Sequence, residues 1–351
     1  MQKRSTRLIG AIVLGALGTF ATNAHAWDHP GHMTTAAIAF QEIEQARPEL
    51  IEKLGLLFLA HPDPAPFWVA AGMGKGNERV RRMFIECARW ADDVKFTPAD
   101  RPTWHTARWA IVAEDAPPEA KAAAAARNGK PTGQALEGLA LNSAMLANPE
   151  SSPAERALAL CWMFHIVGDI HQPWHVSDLF SKDFPEGNAA ASLSYVQDPI
   201  GTTTMPLHLL WDSNVRRSTE LVAIDQNVQE LTTKYPRSSF PELQAHPVSD
   251  PNAFEEWAKE SHKIIADWGY DLQTASDPVQ DQDTARLIKN MMAFILDGVS
   301  AVEEAPDVPA DYWEKVQSTT GQRTTLAGYR IADLVIAAAD QIEAQRKFVG
   351  R

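Results

Sequence analysis

The chain has 351 residues with 32 basic against 45 acidic, a formal net charge of −13, and only two cysteines, Cys87 and Cys161. An acidic balance argues against a module that grips nucleic acid through basic patches, and two cysteines are too few for a disulfide scaffold. The length allows one large domain or two small ones.

Residues 1–26 read as an export signal. Lys3, Arg4 and Arg7 precede an apolar run over residues 8–21, and Ala24, His25 and Ala26 make a cleavage site. The run is too short for a stable membrane span, and no other stretch is long and apolar enough to cross a bilayer. The mature chain is expected to begin at Trp27, secreted or periplasmic, with no stable membrane association and no obligate protein partner. Cleavage removes three basic residues and no acidic ones, so the remainder is more acidic still.

A helix is predicted over 33–46, stopped by Pro48. The proline- and glycine-rich stretch 62–76 reads as a surface loop. A second helix over 77–93 carries Cys87, Trp90 and Asp92, and Pro98 and Pro102 break the chain before Trp104 and His105. Residues 115–132 read as an exposed connection, and 134–147 as a helix. For the two cysteines, both in apolar helical sequence, buried free thiols are the expectation and a Cys87–Cys161 bridge the alternative.

The stretch 152–175 organises the rest. Ser152, Pro153 and Glu155 form a capping box with proline in the first turn, and the near-continuous apolar run that follows predicts a helix buried on all sides. His165 and Asp169, four apart, share one face of it. Pro173 ends the helix and His175 follows in the turn. Residues 181–204 form a long loop of the kind that serves as a lid or binding loop. Helical pattern resumes at 207–212, with His208 and Asp212 again four apart, and further helices are expected near 252–273, 281–303 and 324–346. Strand-like alternation is scarce, which predicts one all-α domain from Trp27 to Phe348.

A lone histidine is more often a satisfied core or surface residue than a ligand, and one His-x-x-x-Asp pair says little more. The pair occurs twice here, in apolar settings beside His175, His105 and Asp92, with Trp90, Trp104, Trp174 and Trp211 close in sequence. Buried imidazoles and carboxylates are costly unless compensated, and a metal ion is the simplest compensation. Nitrogen and oxygen donors without thiolates suit zinc in a catalytic site.

These residues carry a resemblance. Trp27 with His32, the run Trp90-Ala91-Asp92, His105, His165 with Asp169 and His175, His208 with Asp212, and the closing 326–332 segment follow the order of the single-strand-specific zinc nucleases of the S1/P1 type. Zinc phospholipases C are a more distant likeness. The resemblance implies an all-α fold with three zinc ions in a cleft. One would be held by Asp92, His105, His165 and Asp169, and a second by His175, His208 and Asp212. The third would be held by His32, Asp169 and the amino nitrogen and carbonyl oxygen of Trp27, so that signal cleavage creates a ligand. Single-stranded DNA or RNA, or a 3′-nucleotide, would be hydrolysed to 5′-phosphate products by a metal-activated water, with Asp92 orienting or deprotonating it and Lys95 neutralising phosphoryl charge.

The pattern departs from the family at the base pocket. An aromatic and an acidic residue after the ligand histidine are replaced by Thr106 and Arg108, leaving Trp109 or the long loop as a platform. The family's glycine-rich loop motif appears as Glu186-Gly187-Asn188, making Asn188 a substrate-side candidate with Thr106 and Arg108. A phospholipase-type phosphodiesterase and a non-catalytic exported zinc-binding protein are the alternatives.

Overall fold

The computed structural model describes residues 27–201, 203–213, 215–272, 275–276 and 305–349. The signal over 1–26 and the helix expected at 281–303 lie outside the described residues. The molecule is mostly helical, with two small sheets.

Helix α1 (His29–Ala46) starts at Asp28, whose Oδ1 accepts the Gly31 N–H at 3.1 Å, and buries most of its surface. Then follow α2 (Leu50–Leu59), α3 (Ala65–Gly72) and α4 (Gly76–Asp93). The 62–76 stretch is therefore not all loop. Pro64 precedes α3 and Pro66 occupies its first turn, where the missing N–H costs nothing, so a proline that reads as a breaker here starts a helix. The same holds for 115–132. Pro117 and Pro118 open α5 (Pro118–Ala125), and Ala120 and Ala124 pack on Phe180.

Helix α6 (Ala135–Ala147) leads into α7 (Pro153–His171), the buried centre of the molecule. Its capping box is formed: Ser152 Oγ accepts the Glu155 N–H at 3.3 Å, and the Glu155 carboxylate accepts the Ser152 N–H at 2.8 Å. Every residue from Leu160 to His171 is buried. Trp162 and Phe164 join Phe40, Phe84, Trp90 and Trp257 in the main core, each such ring contributing roughly 1.5–3 kcal/mol by leaving water.

Strand β1 (Trp109–Val112) runs parallel to β2 (Ser177–Phe180), with Ala110 opposite Asp178. Strand β3 (Ser194–Gln197) pairs antiparallel with β4 (Thr204–Pro206) on one side and β5 (Ala275–Ser276) on the other. Strands of three or four residues are too short to show alternation, so the sequence carries no sign of them. The 181–204 loop is thus partly sheet, and it delivers α8 (Leu207–Asp212) directly after β4.

Helices α9 (Leu221–Lys234), α10 (Glu242–Ala245), α11 (Ala253–Ile264) and α12 (Ala310–Val349) complete the chain. Helix α11 stops at Ile264 and passes into a π-turn at Ile265–Gly269, short of the predicted 273. Helix α12 starts fourteen residues before its predicted 324. It lies along α1, where Gly328 lets the two backbones close: a Cβ there would sit 2.7 Å from Ile38.

Cys87 on α4 and Cys161 on α7 form a disulfide, their Cα atoms 4.7 Å apart. The expectation of free buried thiols is corrected. Both residues are buried where the two helices pack, and that close approach is invisible to sequence spacing.

Candidate metal centre

Three carboxylates converge from the ends of three helices. Asp92 is the penultimate residue of α4, Asp169 lies in the last turn of α7, and Asp212 is the last residue of α8. His165 sits one turn before Asp169, and His208 one turn before Asp212. Pro173 stops α7 and throws the chain into a 3₁₀ turn, Pro173–Val176, which carries His175; a second such turn, Pro102–His105, carries His105. His32 enters from the first turn of α1. All eight side chains are buried.

The donor atoms gather in three groups: His32, Asp92 and His165; His105, His165 and Asp169; and His175, His208 and Asp212. Within each, the ligating atoms lie within 4.8 Å of one another. His105 Nδ1 is 3.2 Å from Asp169 Oδ2, and His32 Nε2 is 3.3 Å from Asp169 Oδ1. Asp169 therefore stands between His32 and His105. Trp27 is fully buried, and the next residue, Asp28, donates its N–H to the Asp212 carbonyl at 3.2 Å.

The histidine tautomers can be read from their second nitrogens. Nδ1 of His165 donates to the Ala88 carbonyl at 2.8 Å, Nδ1 of His175 to the His105 carbonyl at 2.7 Å, and Nδ1 of His208 to the Ala190 carbonyl at 2.5 Å. In the neutral form of such a ring the lone pair is on Nε2. Yet Nε2 of His175 lies only 3.0 Å from Nε2 of His208. Two lone pairs facing each other in a dry interior repel, and a cation between them removes the conflict.

Electrostatics point the same way. Burial holds the imidazoles of His32 and His105 well below their ordinary range and lowers His165 to about 4. Burial, reinforced by Asp92, pushes the Asp169 carboxyl well above its usual value. Both Asp169 oxygens accept no hydrogen bond among the described residues. Buried imidazoles and carboxyl groups together in one dry cluster are a donor set that fits a divalent metal.

Lys95 lies just past the end of α4, its Nζ 2.7 Å from Asp92 Oδ1 and its side chain 11% exposed, so it borders the cluster on the solvent side. Thr106 is buried, and its carbonyl accepts the Ala135 N–H at 3.1 Å. Arg108 is half-buried, its backbone paired with Thr132. Trp109 is also half-buried, its ring 5.8 Å from that of His262. Asn188 is internal: its Oδ1 accepts the Leu179 N–H at 3.0 Å and its amide approaches Ser194. It shapes the loop from within.

Two residues of the site carry no titratable group and escaped the sequence reading. Gln172 donates its amide to Asp212 Oδ1 while its Oε1 accepts the Trp174 N–H. Gly168 faces His32, and a Cβ there would lie 2.7 Å from His32 Nδ1. A glycine inside an otherwise apolar helix is the signal that would have found it.

No helix among the described residues is long and apolar enough to cross a membrane. The sequence profile of the S1/P1 nuclease family matches residues 27–340. Nuclease S1 of Aspergillus oryzae is 24% identical over 262 residues, covering 72% of this chain and 78% of the relative. A match that runs from Trp27, two residues before α1, through most of α12 takes in every element that feeds the His/Asp cluster. The chain belongs to the S1/P1 nuclease family and is a hydrolase acting on phosphodiester bonds.

Proposed function

We propose that this protein is an exported, zinc-dependent endonuclease of single-stranded DNA and RNA, acting also on 3′-nucleotides and leaving 5′-phosphate products. Its catalytic domain spans residues 27–348. The observation that carries this reading is the close approach of His175 and His208 through their Nε2 atoms, beside two further His/Asp groups, in a chain of this family. Three zinc ions would be held by Asp92, His105, His165 and Asp169; by His175, His208 and Asp212; and by His32, Asp169 and the terminus of Trp27 freed by cleavage after Ala26.

Bound metal supplies an acidified water and neutralisation of phosphoryl charge. The chain's own groups do the rest. Asp92 would orient the attacking water or accept its proton. Lys95, held against Asp92, presents an ammonium to the phosphoryl oxygens where charge builds in the transition state. The tryptophan-walled interior keeps bulk water from the carboxylates. Thr106 and Arg108 take the substrate side, where Arg108 would meet a base edge or phosphate as a donor only.

The test is release of acid-soluble nucleotides from single-stranded DNA and RNA by signal-cleaved, zinc-loaded protein. A chelated control and a phosphatidylcholine assay run alongside. Chelator-sensitive release of 5′-nucleotides is expected. Lys95→Met should lower kcat about 10²–10³-fold with metal content unchanged. Full metal loading without nucleotide release would overturn the reading, and lipid turnover would replace it with a phospholipase.

A further inference from the structure

The three histidines of the cluster that give Nδ1 to a backbone carbonyl, His165, His175 and His208, depend on acceptors of different kinds. Ala88 lies within α4 and His105 within a 3₁₀ turn, so both carbonyls are fixed by regular structure. Ala190, the acceptor for His208, lies in a run of three non-glycine residues with left-handed backbone: Ala189, Ala190 and Ala191 have φ of 51°, 60° and 64°. Each crowds its Cβ against the following carbonyl, and such a run persists only when its surroundings hold it. The carbonyl that aims His208 therefore needs an outside anchor.

The anchor is Asp178 on β2. Its Oδ1 accepts the Ala190 N–H at 3.3 Å, and its Oδ2 takes the Arg127 Nη2 at 2.7 Å. Arg127 comes from just beyond α5, lies over the Phe180 ring at 4.5 Å and is only 15% exposed. The loop closes tightly on this carboxylate: a Cβ at Gly187, itself at φ +97°, would lie 2.9 Å from Asp178 Oδ2. Parallel pairing of β1 with β2 fixes Asp178 in turn, with Ala110 opposite it. A continuous chain of contacts thus runs Arg127, Asp178, Ala190, His208. It ends 3.0 Å from His175 and 3.2 Å from Asp212 Oδ2.

We infer that Asp178, seated by Arg127, is the positioning residue for the His175/His208/Asp212 metal site: it holds the left-handed alanine turn whose Ala190 carbonyl orients His208. The inference rests on the metal reading above. It separates His208 from His165 and from His175, whose acceptors Ala88 and His105 are held by regular structure and need no such tie, and it gives the long loop a role at the metal in addition to any at the substrate.

The test compares wild type, Asp178→Asn and Asp178→Asn/Ala190→Gly. Asparagine keeps the volume but has one acceptor oxygen for two donors, so either Arg127 or Ala190 is left facing an amide N–H₂. Glycine takes the left-handed conformation freely and needs less anchoring. Each zinc-loaded protein is titrated with a competing chelator while released zinc and retained fold are followed by a zinc dye and circular dichroism. In Asp178→Asn one class of zinc should dissociate about tenfold more readily, the size usual for loss of a partner behind a ligand, with the remaining zinc released as in wild type. Ala190→Gly should restore most of the difference. Release of all zinc in step, no change, or failure of the glycine to restore binding would each overturn the inference. A wild type that binds no zinc would instead overturn the metal reading.

Discussion

Gly168→Ala tests whether the cluster is built to tolerance. The added Cβ would lie 2.7 Å from His32 Nδ1 and 2.9 Å from His32 Cε1, well inside van der Waals contact. The ring cannot slide away. It is fully buried and stacked on His165, their centroids 3.9 Å apart and their planes 18° from parallel. Overpacking of this kind costs about 1–3 kcal/mol. Alanine in place of glycine in a helix interior gives back roughly 0.8–1 kcal/mol, so net destabilisation should be about 0–2 kcal/mol. The displaced group, however, is a proposed ligand in van der Waals contact with another. Site loading should therefore suffer far more than the fold. The assay pairs denaturant unfolding of metal-free protein with zinc content after dialysis against a weak chelator. A near-normal midpoint with about one zinc lost is the expected signature. Full zinc retention and unchanged nuclease activity would refute the idea that His32 is held in ligating position by the missing side chain.

Reduction of the disulfide, or Cys87→Ala with Cys161→Ala, should destabilise the protein by about 4 kcal/mol through chain entropy across the 74-residue separation, read as a lowered denaturant midpoint. An unchanged midpoint would show that close packing of α4 on α7 suffices. Glu260→Ala should cost about 3 kcal/mol, because it leaves buried Arg330 and Arg323 without their shared carboxylate, with Arg330 still over Trp257; a loss below 1 kcal/mol would contradict that. In metal-free protein, the lowered pKa of His32, His105 and His165 means the folded state binds fewer protons than the unfolded one below pH 6.5. Their contribution to stability is thus lost as pH falls from 6.5 to about 4, where His165 titrates. The raised carboxyl of Asp169 has the opposite sign and gains stability on acidification. Asp169→Asn should therefore steepen the fall in melting temperature between pH 7 and pH 4, and a flatter profile would be wrong for this balance.

Legibility of the site divides along physical lines. His165 with Asp169 and His208 with Asp212 were readable because helical periodicity alone puts residues four apart on one face. That His32 joins them is a tertiary fact, and only the resemblance supplied it; His105 stands out from the residues themselves, by its apolar, tryptophan-marked setting. Helices α3 and α5 are hard to read in sequence because a proline in the first turn of a helix looks the same as one that ends a helix. The disulfide depends on how closely two elements approach, which no single stretch encodes. The left-handed turn at Ala189–Ala191 is the extreme case, since alanine disfavours that conformation and nothing local announces it.

The convergence of α4, α7 and α8 on one spot has an electrostatic consequence. Each delivers its C-terminal end, where unsatisfied carbonyls amount to about half a negative charge, so backbone and carboxylates add with the same sign. Helix α1 offers the opposite pole through its first turn, which carries His32. On the proposed function, the cleft without metal would attract cations and repel phosphate, so loading would precede substrate. Metal-stripped protein should show no measurable affinity for a nuclease-resistant phosphorothioate oligonucleotide, and recover it only after zinc is returned; binding to the stripped protein would break that order. The acidic chain that looked unsuited to a polyanion gains its attraction from what it first collects.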